Sequence, residues 1–193
     1  MTMSDVTAVI LTGGRSSRMG GGDKTQSLVG STTLLDLLVG TLPSTMSIVV
    51  VGAQAPTDRD VVLCREEPQF GGPVAALAAG LKHVATPLTF VVAGDRPRAG
   101  NLLERLHSTR AETDSEAVVP LDADDRVQHM CFLVRTSALT TAIESLDTPV
   151  NAAVRSVFDE LDITTVQLSS DEQVSLVDVN TPEDLAALRS QQG

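Results

Sequence analysis

The sequence predicts an α/β fold of three layers, in which helices cover both faces of a mostly parallel central sheet. Short apolar runs typical of buried strands recur along the chain, and most are separated by segments with helical periodicity. Hydrophobic residues make up 42% of the 193 residues but aromatic residues only 2%, so the core is built mainly from Leu, Val, Ile and Ala. This length suits one domain with a sizeable core, and no stretch has the composition of a linker, so we expect a single domain over residues 1–193.

Strands and helices alternate over the first two thirds of the chain. The predicted strands cover residues 6–11, 47–52, 61–64, 88–93 and 116–119. A first helix is predicted over 31–41, where four leucines form one broad stripe, and a third over 99–110. Between them, Pro73 suits the first position of a helix that continues to about Val84, because a proline there loses no hydrogen bond.

The last third has a looser pattern that begins with an Asp-rich loop after residue 120. We predict a strand near 130–135, helical segments near 137–146 and 150–160, and strands near 163–168 and 174–179. A closing helix begins after Thr181, which is predicted to cap it together with Asp184 three residues later.

Charge and composition exclude several classes of partner. The chain has 14 basic and 25 acidic residues, and this net charge of −11 repels nucleic acid and anionic membranes. Cys64 and Cys131 lack metal-ligand spacing and are expected to be buried thiols in a reducing compartment. The apolar run before Gly13 is too short for a signal peptide, and no run reaches transmembrane length, so we expect a cytoplasmic protein without nucleic-acid or membrane partners.

A loop rich in glycine and basic residues follows the first predicted strand. Residues 13–24 contain five glycines together with Arg15, Arg18 and Lys24. Glycine lets backbone N–H groups converge on an anion, and the basic side chains neutralise its charge, so the loop suits a polyphosphate. The alternative is a flexible connection with incidental basic residues.

Two common phosphate-binding loops do not match this segment. The P-loop pattern needs glycines one and six residues before its lysine, but Lys24 has Asp23 and Arg18 there. The dinucleotide pattern G-x-G-x-x-G would need a glycine where Thr25 stands.

Asp95 lies two residues after the end of the predicted strand 88–93. It is therefore expected at the same sheet edge as the glycine-rich loop, where open α/β sheets bind ligands. A carboxylate there can hold Mg²⁺ against nucleotide phosphates. The alternative is an aspartate that accepts hydrogen bonds from its own turn.

The loop spacing resembles the signature L-x-G-G-x-x-x-R-M-G-x-x-D-K of the molybdenum cofactor guanylyltransferases, which are MobA-like nucleotidyltransferases. The matching residues are Leu11, Gly13, Gly14, Arg18, Met19, Gly20, Asp23 and Lys24. Residues 71–81, 94–97 and 178–185 resemble three further motifs of that family. The chain departs from it at Thr12, where alanine is usual, and at Arg96, where a hydrophobic residue commonly precedes the proline.

This resemblance implies a three-layer, Rossmann-like nucleotidyltransferase fold and a specific reaction. A phosphate oxygen of the molybdenum-bearing pterin would attack the α-phosphorus of GTP, giving molybdopterin guanine dinucleotide and pyrophosphate, with Mg²⁺ as cofactor. Arg18, Lys24 and Asp95 would be catalytic, Asp95 would hold the metal, and Asn180 would bind the pterin substrate. The implied nucleotide-binding residues are Leu11, Thr12, Gly13, Gly14, Arg18, Gly20, Lys24, Glu67, Gly72, Pro73 and Asp95. A recipient molybdoenzyme or its chaperone is the implied protein partner.

Several residues keep a structural alternative. Asn180 is alternatively only the residue before a helix, and Glu66 and Glu67 are alternatively a solvated pair on the surface. The three histidines have no ligand spacing, and the acidic residues at 122, 124 and 125 lack the glycine and glutamate of a calcium loop, so we expect a solvated turn there.

Two other functions fit the same pattern. One is a cytidylyl or sugar-1-phosphate transferase on the same fold; the pair Gly13-Gly14 favours the guanylyl branch by resemblance. The other is a catalytically silent module that binds a nucleotide and delivers the cofactor, although Lys24 and Asp95 argue against silence.

Overall fold

Nine strands form among residues 3–12, 24–52 and 57–190, the parts of the chain that the computed structural model describes. They are β1 (Val6–Leu11), β2 (Leu28–Val29), β3 (Thr32–Thr33), β4 (Ser47–Val51), β5 (Val62–Cys64), β6 (Leu88–Ala93), β7 (Ala117–Leu121), β8 (Cys131–Arg135) and β9 (Ile163–Gln167). Seven of them make one sheet in the order β5-β4-β1-β6-β8-β7-β9, while β2 and β3 pair separately. The predicted strands in this sheet are therefore confirmed, with bounds that shift by one or two residues.

The sheet is mostly parallel, as predicted. Only β8 runs antiparallel, against both β6 and β7. From β1 the chain goes to β4 and β5 on one side and then returns to β6 on the other side of β1. The carboxyl ends of β1 and β6 therefore flank a topological switch point, which is where open α/β sheets form their ligand crevice.

Seven α-helices connect or follow the strands within the described residues. They are α1 (Leu34–Thr41), α2 (Pro73–Leu81), α3 (Leu103–Glu112), α4 (Thr136–Glu144), α5 (Val154–Phe158), α6 (Ser170–Gln173) and α7 (Pro182–Ser190). Helix α1 begins later than predicted because the Thr33 hydroxyl caps it by accepting the Asp36 N–H at 3.0 Å. None of the helices in the described parts of the chain has the length and hydrophobicity of a membrane span.

The two faces of the sheet bury separate apolar clusters, which gives three layers. Val6, Ala8 and Ile10 of β1 pack with α1 and α3 on one face. Val9 and Leu11 pack with α2, α4 and α5 on the other. All six residues of β1 are buried, as expected of a central parallel strand covered on both sides.

The strand predicted at 174–179 is wrong. Ser169 and Glu172 form a reciprocal capping box: the Ser169 N–H donates to the Glu172 carboxylate at 2.8 Å, and the Glu172 N–H donates to the Ser169 hydroxyl. This box starts α6, and a 3-10 helix over Val174–Leu176 follows it. The Ser169 backbone N–H also lowers the pKa of Glu172. Residues 177–180 then lead to the sheet edge without joining a strand.

The connection between α1 and β4 is held by one arginine. The Arg59 guanidinium donates to five backbone carbonyls, those of Val39, Leu42, Pro43, Ser44 and Met46, at 3.0 to 3.2 Å. These bonds hold the last turn of α1 and the connection that follows it to one guanidinium group.

Candidate active site

The carboxyl ends of β1, β4 and β6 are tied together by backbone hydrogen bonds. Gly94 donates its N–H to the Leu11 carbonyl at 2.9 Å. Thr12 donates both its N–H and its hydroxyl to the Val51 carbonyl, at 2.9 and 3.1 Å. Leu11 and Thr12, two predicted nucleotide-binding residues, therefore lie at the switch point beside the Gly94-Asp95 turn.

The segment after the glycine-rich loop packs against the same turn. Thr25 is only 1% exposed, and it lies in the short 3-10 helix Lys24–Gln26. A Cβ atom on Gly94 would lie 3.0 Å from the Cγ2 atoms of both Thr12 and Thr25. The absence of a side chain at Gly94 thus allows the end of the loop to approach Asp95.

Much of the predicted phosphate loop lies outside the described residues. This applies to Gly13, Gly14, Arg18 and Gly20, and for Lys24 the structure describes only the backbone. The phosphate-binding role of these residues remains a prediction.

Asp95 lies half-buried beside the C-terminal segment that contains Asn180. The Asp95 carbonyl accepts the N–H of Val179 at 2.9 Å. The Asn180 side-chain amide donates to the Asp178 carboxylate. The structure therefore brings Asn180 and Asp178 next to Asp95, although both lie more than 80 positions after it in sequence.

The predicted cap of α7 is confirmed. The Asp184 N–H donates to the Thr181 hydroxyl at 3.1 Å, and the Thr181 N–H donates to the Asp184 carboxylate at 2.8 Å. The same carboxylate accepts the Asn180 N–H at 2.9 Å. Asn180 is thus both the residue before a capped helix and a neighbour of Asp95.

The turn before α2 is organised by Glu66. This residue is 7% exposed, and its carboxylate accepts the N–H of Phe70 at 3.0 Å. Glu67, the predicted nucleotide-binding residue, is exposed. Gly72 has a φ of +91° at the N-cap of α2, a conformation that favours glycine, and Pro73 is the first residue of the helix as predicted.

Comparison with known proteins shows the family of the chain. The MobA-like NTP transferase domain model matches residues 8–165. The chain belongs to this family. It is therefore a nucleotidyltransferase, and the fold expected from the resemblance is confirmed.

Curated relatives of this MobA-like transferase are named molybdenum cofactor guanylyltransferase. The protein from Bordetella petrii is 32% identical over 74% of this chain and 78% of its own length. The one from Cupriavidus metallidurans is 28% identical over 96% of this chain and 95% of its own length.

Solved structures share the fold at low identity. The molybdopterin-guanine dinucleotide biosynthesis protein A from Archaeoglobus fulgidus superimposes with a TM-score of 0.75 at 19% identity, covering 96% of this chain and 98% of its own. The 2-C-methyl-D-erythritol 4-phosphate cytidylyltransferase from Thermus thermophilus gives a TM-score of 0.69 at 18% identity, covering 95% and 97%.

Sequence reasoning missed one network in the MobA-like transferase. An Arg96 Nη atom donates to the Gln128 side-chain oxygen at 2.8 Å, and the Gln128 amide donates to the Asp122 carboxylate at 2.8 Å. Asp122 also accepts the backbone N–H groups of Asp124 and Arg126, so the predicted turn is present, and the Arg126 bond is the main cause of its lowered pKa. The arginine directly after Asp95 was the available signal.

The prediction of buried thiols is correct for Cys131 but not for Cys64. Both cysteines are free, with Cys131 fully buried and Cys64 half-buried. Burial raises the pKa of Cys131 to about 12. Burial and then the nearby Glu66 carboxylate raise the pKa of Cys64.

Proposed function

We propose that the protein transfers GMP from GTP to the phosphate of the molybdenum-bearing pterin and releases pyrophosphate. The observation that carries this proposal is the packing of Thr25 and Thr12 against Gly94, because it joins the end of the glycine-rich loop to Asp95 at the switch point. The names of the curated relatives support the choice of nucleotide and acceptor.

In this reaction an acceptor phosphate oxygen attacks the α-phosphorus of GTP. A new phosphorus–oxygen bond forms, and the bond between the α-phosphorus and the bridging oxygen to the β-phosphate breaks, so pyrophosphate carries away the electron pair. Such a transfer needs positioning and charge neutralisation more than covalent catalysis by a side chain. The backbone amides of Gly13, Gly14 and Gly20 would bind the phosphates, while Arg18 and Lys24 would stabilise the departing pyrophosphate.

The residues around Asp95 fit a magnesium ion that is shared with the nucleotide. Among the described residues, no three His, Cys, Asp or Glu side chains form a cluster suited to a metal. Magnesium is commonly held by one or two carboxylates together with substrate phosphates and water, so the Asp95 carboxylate suits this mode. When bound, Mg²⁺ would neutralise phosphate charge.

A cytidylyl transfer is the second candidate, supported by the structural likeness to a cytidylyltransferase. A thermal-shift panel of GTP, CTP, UTP and ATP with Mg²⁺ separates the two. A ligand at about 100 times its dissociation constant stabilises a protein by roughly 2.7 kcal/mol, so the true donor should give the largest shift. An equal or larger shift with CTP would contradict the guanylyl assignment.

A turnover assay distinguishes an enzyme from a silent cofactor-delivery module. The protein is incubated with GTP, Mg²⁺ and the pterin acceptor, and released pyrophosphate is measured. We expect release that depends on both the acceptor and the metal. Tight GTP binding without release would favour the silent module, for which a recipient molybdoenzyme or its chaperone is the partner to seek.

A further inference from the structure

The connection between β7 and β8 lies at the same sheet edge as Asp95. We define the β7–β8 turn as residues 122–130. Strands β6 and β7 point in the same direction, and β8 between them runs antiparallel to both. The turn from β7 to β8 therefore lies at the carboxyl end of β6. The Ala93 N–H donates to the Met130 carbonyl at 3.0 Å, which fixes the turn beside the Gly94-Asp95 segment.

Arg96 is held toward this turn by a chain of side-chain hydrogen bonds. Gln128 accepts from the guanidinium and donates to Asp122, both at 2.8 Å. The Gln128 backbone N–H in turn donates to the Pro120 carbonyl at 3.0 Å, so the side chain that holds Arg96 is fixed at both ends. The guanidinium is therefore positioned before any ligand arrives.

Among the described residues Arg96 forms no direct ion pair, although the Asp122 carboxylate is close enough to interact with its charge. Its bonded partner is the neutral amide of Gln128, and no ion pair joins it to a carboxylate of the described residues. The other terminal nitrogen of the guanidinium, Nη1, is buried and has no hydrogen-bond partner among the described residues. A buried cationic N–H group normally has an acceptor, so an oxygen supplied by a ligand would complete the site.

Topology places this guanidinium on the other side of the switch point from the glycine-rich loop and the α2 segment, although Arg96 directly follows Asp95. The glycine-rich loop follows β1, and the N-terminus of α2 follows β5, on the β5-β4-β1 side of the switch point. Arg96 is tied instead to the end of β7, on the β8-β7-β9 side. The position of Arg96 therefore suits the acceptor, which would approach the nucleotide from the opposite half of the sheet.

We propose that Arg96 binds the phosphate of the acceptor, with Gln128 and Asp122 as positioning residues. This inference rests on the proposed function. The guanidinium presents planar paired N–H groups that match phosphate oxygens, and in a chain of net charge −11 an anionic acceptor needs such a local cation. Arg96 would set the affinity for the acceptor without contributing to GTP binding.

The test compares steady-state kinetics of pyrophosphate release for the wild type and the variant Arg96→Met, with GTP and the pterin acceptor varied separately. We expect the KM for the acceptor to rise about tenfold or more, the factor that a charge-assisted hydrogen bond is worth. The KM for GTP should stay within about twofold. The variant Gln128→Ala keeps the arginine but removes the side chain that positions it. It should raise the KM for the acceptor less than Arg96→Met does and leave the KM for GTP unchanged.

Arg126→Ala is the matched control, because Arg126 lies in the same turn and its exposed side chain pairs only with Asp124 at 3.2 Å among the described residues. It should leave both KM values unchanged. Arg96→Lys serves if Arg96→Met fails to fold, since it keeps the charge but loses the paired geometry.

An unchanged acceptor KM in Arg96→Met, or an equal rise for both substrates, would overturn the role of Arg96 while the proposed function stands. A wild type that releases no pyrophosphate with the pterin would overturn both.

Discussion

Thr25 and Gly94 lie in such close contact that a single methyl group on Gly94 would come within 3.0 Å of the Thr25 Cγ2 atom. Thr25 directly follows Lys24, and Gly94 directly precedes Asp95. The contact therefore fixes the distance between the end of the phosphate loop and the predicted metal ligand.

The variant Gly94→Ala should impair catalysis more than folding. Its Cβ would press on Thr12 and Thr25 and move the loop from Asp95, while overpacking of this kind typically costs about 1–3 kcal/mol of stability. We expect kcat to fall about tenfold or more, since small displacements of reacting groups are costly. Kinetics and urea unfolding measure the two effects. Adding Thr25→Ser removes one of the clashing methyl groups and should recover part of the activity; no recovery would mean that this contact is not the cause.

Asp95→Asn should preserve the fold but weaken Mg²⁺-dependent turnover. The amide keeps the shape of the side chain but removes the negative charge that anchors a hard cation. Pyrophosphate release is measured across a Mg²⁺ titration, with Asp114→Asn, an exposed carboxylate before β7, as the control. An unchanged titration curve in Asp95→Asn would show that the metal is held elsewhere, and Asp178 would be tested next.

Lys24→Ala should lower kcat about 10²-fold or more if the lysine stabilises charge that develops as pyrophosphate leaves. A ground-state role would instead raise the KM for GTP and spare kcat. The control is Lys82→Ala, which makes the same change at an exposed position after α2. Wild-type kinetics in folded Lys24→Ala would contradict the phosphate-loop interpretation.

Two glycine substitutions in helices should have opposite effects on stability. A Cβ on Gly80 in α2 would lie 2.8 Å from Val51 and 2.9 Å from Val9, so Gly80→Ala should cost about 1–3 kcal/mol through overpacking. Gly40 in α1 has no atom within 4 Å of such a Cβ, so Gly40→Ala should stabilise by about 0.5–1 kcal/mol. Urea denaturation tests both, and destabilisation by Gly40→Ala would contradict the packing described for α1.

Stability should fall as pH rises above about 9 because of Cys131. The folded state raises its pKa to about 12 from the ordinary value of 9.0, so above pH 9 the unfolded chain releases a proton that the folded chain keeps. The loss should approach about 1.4 kcal/mol per pH unit until pH 12. Urea unfolding of the wild type between pH 8 and 10.5 should show a steeper decline than that of Cys131→Ala. Parallel slopes would contradict this assignment.

Thiol labelling gives an independent check on the same residue. At pH 8 the native protein should leave Cys131 unmodified, because it is fully buried and uncharged. Modification of Cys131 as well as the half-buried Cys64 should occur only after the protein is denatured. Rapid modification of Cys131 in the native state would contradict its burial.

Local patterns in the sequence were enough to predict most of the strands and helices. The apolar run 6–11 is a fully buried central strand, and Thr181 and Asp184 form the predicted cap. Both features depend on residues that are close in sequence, so the local pattern was sufficient to predict them. The loop spacing and the Asp95 motif likewise predicted the family that the domain model confirms. Local information failed at 174–179, where the Ser169 and Glu172 capping box outweighed an apolar run of strand-like composition.

Which distant residues meet at the site depends on how the strands pair in the folded chain. The antiparallel direction of β8 brings the β7–β8 turn to the carboxyl end of β6, and the hydrogen bond from Val179 to Asp95 brings Asn180 to the same edge. Neither pairing leaves a periodic signal in the sequence, since each joins segments more than 30 residues apart. Arg96 stood out in the sequence as a departure from the family motif, but its partner Gln128 did not. Hydrogen-bond partners are fixed by chain topology and not by local composition, so only the sheet order shows that the two residues meet.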